Sequence, residues 1–132
     1  MNKPFSQACE NNRAPIGDIL VRLLSNRESV LELGSGTGQH AVWFARQLPH
    51  LYWQTSDRIE NHSGINQWLD ESGLDNIGVP IALNVSRDVW PKKKFEAAFS
   101  SNTAHIMAWP EVEIMFREVA SSLVAGGLFC LY

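Results

Sequence analysis

Three glycines at alternating positions are the sharpest chemical signal in this sequence. They form the pattern Glu32-x-Gly34-x-Gly36-x-Gly38, directly after a short apolar run and directly before a stretch with helical periodicity. Alternating glycines let the backbone turn tightly and approach a ligand with no Cβ in the way. The following helix offers unsatisfied N–H groups at its start. This arrangement predicts a nucleotide-type cofactor site at the carboxyl edge of a parallel sheet.

The spacing and charge of this glycine loop indicate which kind of cofactor it holds. A dinucleotide fingerprint has the spacing G-x-G-x-x-G, whereas the third glycine here comes one residue early. A Walker loop ends in Gly-Lys-Ser/Thr, and residues 38–40 are Gly-Gln-His. Glu32 places a carboxylate beside the loop, which suits a ligand with an ammonium and a sulfonium better than a pyrophosphate. We therefore predict a cationic cofactor.

Polar residues at the ends of the next two predicted strands extend this site. Asp57 lies nineteen residues past Gly38, where an acidic side chain accepts both ribose hydroxyls; taken alone, it is equally well explained as a strand-end cap. Asn84 ends the third predicted strand and has an amide that can reach an adenine edge, although an ordinary turn residue explains it equally well. The predicted cofactor-binding residues are Glu32, Gly34, Ser35, Gly36, Thr37, Gly38, Asp57, Arg58, Asn84 and Val85.

The loop after the fourth predicted strand carries the candidate catalytic residues. It contains Asn102-Thr103 followed by His105, at the same edge of the sheet. An amide and an imidazole there can orient a substrate and transfer protons. The alternative is a hydrogen-bonded loop without a chemical role. We nominate Asn102 and His105, and we expect His40 to pack near its helix start instead.

The hydrophobic pattern predicts one α/β domain over residues 1–132. Apolar residues at helical spacing predict helices over 15–24, 41–48, 65–73 and 110–125, the first and last opening at Pro15 and Pro110 and the last ending at Gly126-Gly127. Short apolar runs predict strands over 30–33, 51–56, 80–85, 97–101 and 128–132. Alternation of this kind is typical of a parallel sheet covered by helices on both faces.

Composition narrows the possible partners and the compartment. The net charge of −3 disfavours a nucleic-acid partner, which usually requires a clustered basic face. Two widely separated cysteines predict neither a disulfide framework nor a metal site. The N-terminus lacks an apolar signal segment, and no run of about twenty apolar residues is present to span a membrane. We expect a cytoplasmic protein.

These motifs resemble those of a known enzyme class. Residues 30–44 are similar to motif I of class I S-adenosylmethionine-dependent methyltransferases, and Asp57 matches the acidic residue that follows their second strand. Residues 5–16, 102–113 and 126–132 resemble the family called domain of unknown function 938, which includes animal methyltransferase-like protein 26. This resemblance covers nearly the whole chain and implies a Rossmann-like sheet of order 3-2-1-4-5.

The resemblance implies methyl transfer from S-adenosylmethionine to an unidentified small molecule or protein. Glu32 would then orient the methionine amino group, Asp57 would hold the ribose, and Asn102 and His105 would face the methyl group. The alternatives are a non-catalytic S-adenosylmethionine-binding module and, less well supported, an NAD-dependent oxidoreductase. The family tends to have aspartate where this chain has Asn84.

Family members also continue past the fifth strand into a further helix and a β-hairpin, whereas this sequence stops at Tyr132. We therefore expect the C-terminal hairpin to be missing. The uncovered edge of the fifth strand would then favour self-association.

Overall fold

Strands and helices alternate along the chain in the order that the sequence predicts. A computed structural model describes residues 3–132, and it also contains two short 3₁₀ turns, Ile59–Asn61 and Ala104–Ile106. The strands are β1 (Ser29–Leu33), β2 (Tyr52–Asp57), β3 (Ile77–Ala82), β4 (Phe95–Ser100) and β5 (Leu123–Leu131), and the helices are α1 (Gln7–Leu23), α2 (Gln39–Gln47), α3 (His62–Ser72) and α4 (Trp109–Ser122).

The five strands form one parallel sheet in the order β3-β2-β1-β4-β5, which confirms the predicted topology. The chain moves outward from β1 through β2 to β3, and then returns to the other side of β1 for β4 and β5. The switch in direction lies between β1 and β4. In open α/β sheets, ligands bind in the crevice at the carboxyl ends of the strands beside such a switch.

Helices cover both faces of the sheet, and β1 shows why. Its side chains alternate between two apolar layers, as strand geometry requires. Val30 packs with residues of α1 and α2, whereas Leu31 and Leu33 pack with residues of α4. Glu32 therefore lies on the same face as Val30. The burial of β1 on both faces accounts for its nearly continuous apolar sequence.

Helix α1 begins earlier than predicted. It starts at Gln7, where the Ser6 hydroxyl caps the N–H of Cys9 at 3.4 Å, and Pro15 lies inside the helix rather than in its first turn. The predicted start at Pro15 is wrong because the first half of α1 has no apolar stripe; the buried residues of the helix begin at Ile16. Proline lacks the N–H that would bond the carbonyl four residues earlier.

The glycine pair after α4 does not end that helix. Helix α4 ends at Ser122, and Gly126, with φ of +80°, lies within an irregular part of β5. The register beside β4 shifts there, because Phe95 pairs with Leu123 whereas Ala97 pairs with Leu128. Glycine suits both a helix end and a strand bulge, so the sequence pattern did not distinguish the two.

Some features associated with other protein classes are absent from residues 3–132. No helix in that range has the length and apolar content needed to cross a bilayer. The same range contains no cluster of three His, Cys, Asp or Glu side chains that could hold a metal ion. Cys9 and Cys130 are free thiols, and burial raises the pKa of Cys130.

Candidate functional site

A cleft of about 740 Å³ opens at the carboxyl edge of the sheet. Loops after the first four strands contribute to it, and the start of α1 closes one side. Most of the predicted site residues meet in this cleft although they are far apart in sequence. Those that line it are Glu32, Gly34, Ser35, Gly36, Thr37, Asp57, Arg58, Asn84, Val85, Asn102 and His105.

The three glycines of the loop have different structural reasons to be glycine. All three have positive φ values. A Cβ on Gly36 would meet no atom within 4 Å, so this position faces open space in the cleft. A Cβ on Gly34 would lie 2.6 Å from the Thr103 hydroxyl, and one on Gly38 would lie 3.2 Å from the Ile65 Cα of α3. Gly38 does not line the cleft; it allows close packing of α2 on α3.

Glu32 is a buried carboxyl at the floor of the cleft. Its exposed fraction is 2%, and its Oε1 accepts hydrogen bonds from the Ser35 hydroxyl at 2.7 Å and the Trp53 indole at 3.1 Å. Burial is the main cause that raises the pKa of Glu32 from 4.5 to about 7; the two hydrogen bonds oppose it, and the Asp57 charge adds to it. Burial thus disfavours the charged form of Glu32, and a cationic ligand beside it would favour that form.

Asp57 joins the end of β2 to the glycine loop. Its Oδ2 accepts from the Gly36 N–H at 2.7 Å, and its Oδ1 accepts from the Arg58 N–H at 2.7 Å and the Asn61 amide at 3.0 Å. These hydrogen bonds show that Asp57 caps the end of β2. The carboxylate also lies in the cleft wall, where a contact with ribose would require it.

Asn84 lies two residues beyond β3, not at its end as predicted. Leu83 still donates its N–H to the Asp57 carbonyl at 3.0 Å, but the chain then turns, with the Asn84 N–H bonded to the Asp88 carboxylate at 2.5 Å. The turn brings Asn84 and Val85 to the cleft. A smaller adjoining depression of about 400 Å³ is lined by Arg58, Asn84, Ser86, Arg87 and Glu111.

The loop after β4 rests on the glycine loop. Thr103 packs over Gly34, which is why a Cβ there would collide. Asn102 has φ of +58° and is the one non-glycine residue with positive φ in the described chain; asparagine is among the residues that tolerate this conformation. Asn102 and His105 are exposed at the cleft mouth. The alternative of a buried, hydrogen-bonded loop therefore fits His105 poorly.

Several residues of the cleft were not predicted. Ser6, Cys9 and Asn12 form the wall at the start of α1, and Glu111 contributes from α4. The family resemblance at residues 5–16 covers the α1 wall, but it does not indicate that this segment lines the cleft.

His40 also lines the cleft, although we expected it only to pack near its helix start. It does pack there, at 4% exposure, with its Nε2 bonded to the Cys9 carbonyl at 3.3 Å. Burial lowers the pKa of His40, which favours the neutral form of the ring.

Several solved structures share this fold, and their names identify them as methyltransferases. The S-adenosylmethionine-dependent methyltransferase SibL superposes with a TM-score of 0.80 at 18% identity, covering 92% of this chain and 36% of that one. The glycopeptide N-methyltransferase MtfA, complexed with S-adenosylmethionine, gives 0.78 at 17% identity over 91% and 53%. CcbJ of Streptomyces caelestis gives 0.76 at 19% identity over 91% and 48%. At these identities the match shows a shared fold, and the chain spans about a third to a half of their lengths.

A protein-family model described as "Protein of unknown function (DUF938)" matches residues 3–132. This match includes each of the sequence blocks on which the resemblance was based. The chain therefore belongs to the DUF938 family, within the Rossmann-like fold that the methyltransferases share.

Proposed function

We propose that this protein binds S-adenosylmethionine in the cleft and transfers its methyl group to a small molecule or a protein. One observation carries the proposal. A carboxyl group that is 2% exposed, Glu32, lies in the same cleft as the open glycine Gly36 and the carboxylate of Asp57. Glu32 suits an ammonium group, Gly36 allows the backbone to approach the ligand closely, and Asp57 suits the ribose hydroxyls.

Each part of the cofactor would contact a different loop of the cleft. Glu32 lies below the glycine loop and would hold the methionine amino group. Asp57 would accept the ribose hydroxyls at the end of β2, and Asn84 with Val85 would contact the adenine. Complexes of the structural neighbour MtfA with S-adenosylmethionine and with sinefungin support the choice of cofactor.

Catalysis in this cleft would depend mainly on alignment. When bound, S-adenosylmethionine supplies an electrophilic methyl group on a sulfonium. The fixed loops around the cleft would hold the acceptor in line with it, and such positioning supplies roughly 7–11 kcal/mol in favourable cases. Asn102 would orient the acceptor. His105 would take the proton that the acceptor atom loses.

A non-catalytic S-adenosylmethionine-binding module is the second candidate. It is favoured by the exposure of His105, which makes no hydrogen bond that would orient its ring among the described residues. A general base is usually oriented by a neighbouring group. An NAD-dependent oxidoreductase is disfavoured by the glycine spacing and by Glu32, since a buried carboxyl would face a pyrophosphate.

Two measurements separate these functions. Calorimetric titration with S-adenosylhomocysteine and with NAD distinguishes both S-adenosylmethionine hypotheses from the oxidoreductase. Incubation of the protein with methyl-labelled cofactor and a metabolite and protein extract then distinguishes the enzyme from the binding module. Label transfer that is lost in a His105→Ala variant supports the enzyme. Tight binding without any transfer supports the module.

A further inference from the structure

The N-terminal segment, residues 4–12, forms one wall of the cleft. Ser6, Ala8, Cys9 and Asn12 line the cleft from this side. The first turns of α1 have no apolar stripe, and none of residues 4–12 is fully buried. Hydrophobic packing alone therefore gives this wall little support, and polar contacts must hold it in place.

The side chain of Gln39 provides most of these contacts. Its exposed fraction is 6%. Its Oε1 accepts from the Ser6 N–H at 2.6 Å, while its Nε2 donates to the Ser6 carbonyl and to the Glu10 carboxylate, both at 3.3 Å. The amide thus bonds both the N–H and the carbonyl of Ser6, as the backbone of a neighbouring β-strand would.

Gln39, the first residue of α2, is also hydrogen-bonded to the glycine loop. Its Oε1 accepts a second hydrogen bond, from the Thr37 hydroxyl at 2.9 Å, and its own N–H bonds back to that hydroxyl at 3.2 Å. Thr37 lines the cleft. An amide side chain has two acceptor and two donor positions, and all four are used here. Gln39 therefore joins the loop at the floor of the cleft to the wall above it.

Trp68 of α3 also holds the same segment. The Trp68 indole donates to the Pro4 carbonyl at 2.7 Å. Pro4 also packs so closely on α3 that a Cβ on Gly64 would lie 2.7 Å from its ring. These contacts of Pro4 with α3 lie outside the cleft, so they anchor the segment without touching a ligand.

We propose that Gln39 is a positioning residue that fastens residues 4–12 onto the glycine loop, so that cofactor affinity depends on this buried amide. The inference rests on the proposed function, because it takes S-adenosylmethionine as the occupant of the cleft. Gln39 does not line the cleft itself. It acts through Ser6 on one side and Thr37 on the other.

Hydrogen–deuterium exchange and calorimetry test this proposal together. Gln39→Glu keeps the shape of the side chain but replaces the donating amide with a carboxylate that faces the Ser6 carbonyl and Glu10. Gln39→Met removes the polar contacts without adding charge. We expect both variants to exchange the amides of residues 7–12 about tenfold faster or more, and to bind S-adenosylhomocysteine about tenfold more weakly.

Gln47→Glu is the matched control, because Gln47 lies at the exposed end of the same helix. It should change neither measurement. Trp68→Phe removes only the hydrogen bond from the indole to the Pro4 carbonyl. It should increase exchange and weaken binding by a smaller factor, and it replaces the Gln39 variants if these fail to fold. Adding Glu10→Gln to Gln39→Glu should restore part of the protection, since the new amide can donate to the new carboxylate.

Unchanged exchange in residues 7–12 of the folded variants would overturn the proposal, and so would faster exchange with unchanged S-adenosylhomocysteine affinity. The exchange measurement needs no ligand. Failure of the unaltered protein to bind S-adenosylhomocysteine would therefore contradict the proposed function, separately from any result on Gln39.

Discussion

The Asp57 carboxylate accepts a hydrogen bond of 2.7 Å from the Gly36 backbone N–H. This contact ties the open glycine of the loop to the end of β2, although the two residues are far apart in sequence. With the bonds from Arg58 and Asn61, three of the roughly four lone-pair positions of the carboxylate are occupied. A ribose that uses both carboxylate oxygens must therefore share or displace one of these bonds.

Substitution of Asp57 should affect both binding and stability. Asp57→Ala should weaken S-adenosylhomocysteine binding by roughly 1.5–3 kcal/mol, the range of hydrogen bonds to a charged group. It should also lower the free energy of unfolding by roughly 1–3 kcal/mol, because the Gly36 N–H loses its partner. Calorimetry and urea denaturation measure the two effects. The exposed Asp75, substituted in the same way, should change neither, and wild-type affinity in Asp57→Ala would remove this residue from the site.

The raised pKa of Glu32 predicts a pH dependence of cofactor affinity. Below pH 7 the carboxyl is increasingly protonated and attracts an ammonium less strongly, so S-adenosylhomocysteine affinity should rise roughly tenfold or more between pH 5.5 and 7.5. Calorimetry across this range measures it. Methylthioadenosine, which lacks the amino-acid portion, should show no such rise. Glu32→Gln should abolish the rise, and a pH profile unaltered by that substitution would exclude Glu32 as the ammonium partner.

The same group predicts how unfolding depends on pH without ligand. A pKa raised on folding, here from 4.5 to about 7, means that the folded state holds the proton more tightly. The resulting contribution is fully present below pH 4.5 and is lost as the pH rises through 7, amounting to about 3 kcal/mol. The difference between the wild-type and Glu32→Gln unfolding free energies should therefore change in this window. A constant difference would contradict the raised pKa.

His105 is the residue whose substitution should separate turnover from binding. If it accepts the proton of the methyl acceptor, His105→Ala should lower label transfer by about 10²–10⁴-fold while S-adenosylhomocysteine affinity stays nearly unchanged. His50, whose ring bonds the Leu24 carbonyl at 3.0 Å outside the cleft, provides the control. Equal transfer by wild type and His105→Ala would leave His105 without a catalytic role.

The edge strand β5 should promote self-association of the 132-residue chain. It lies at the end of the described sheet with Leu131 45% exposed, and an unpaired apolar edge is a template for another chain. The opposite edge, β3, contains Pro80, which has no N–H to offer. Leu131→Lys should therefore reduce association in sedimentation experiments over a concentration series, whereas Val79→Lys on β3 should not. A monomeric wild type at high concentration would contradict this expectation.

Local sequence patterns predicted those parts of the candidate site that are each formed by a short segment of the chain. The glycine loop and the polar loop after β4 each follow a strand directly, the acidic residue Asp57 ends β2, and parallel strands bring their carboxyl ends to one edge. The contacts that complete the cleft are long-range. Gln39 reaches Ser6 across 33 residues, and Trp53 reaches Glu32 across 21. A single sequence has no pattern that specifies such pairs.

The misplaced boundaries have a related cause. Pro15 and Gly126 are residues with more than one structural use, and tertiary packing selects among these uses. Proline favours the first turn of a helix, which predicts a start at Pro15, but the capping residue Ser6 starts α1 earlier. Gly126 lies where the register between β4 and β5 shifts, and β5 continues beside β4 after this shift.

The most direct test is a pair of S-adenosylhomocysteine titrations on matched glycine variants. Gly36 and Gly73 have φ values of +60° and +66°, and a Cβ on either meets nothing within 4 Å, so both alanine substitutions carry a similar strain of about 1–2 kcal/mol. Only Gly36 lines the cleft. We expect wild type and Gly73→Ala to bind S-adenosylhomocysteine with similar affinity and NAD far more weakly, and Gly36→Ala to lose tenfold or more in affinity. Equal binding by both variants, or no preference over NAD, would contradict S-adenosylmethionine binding in this cleft.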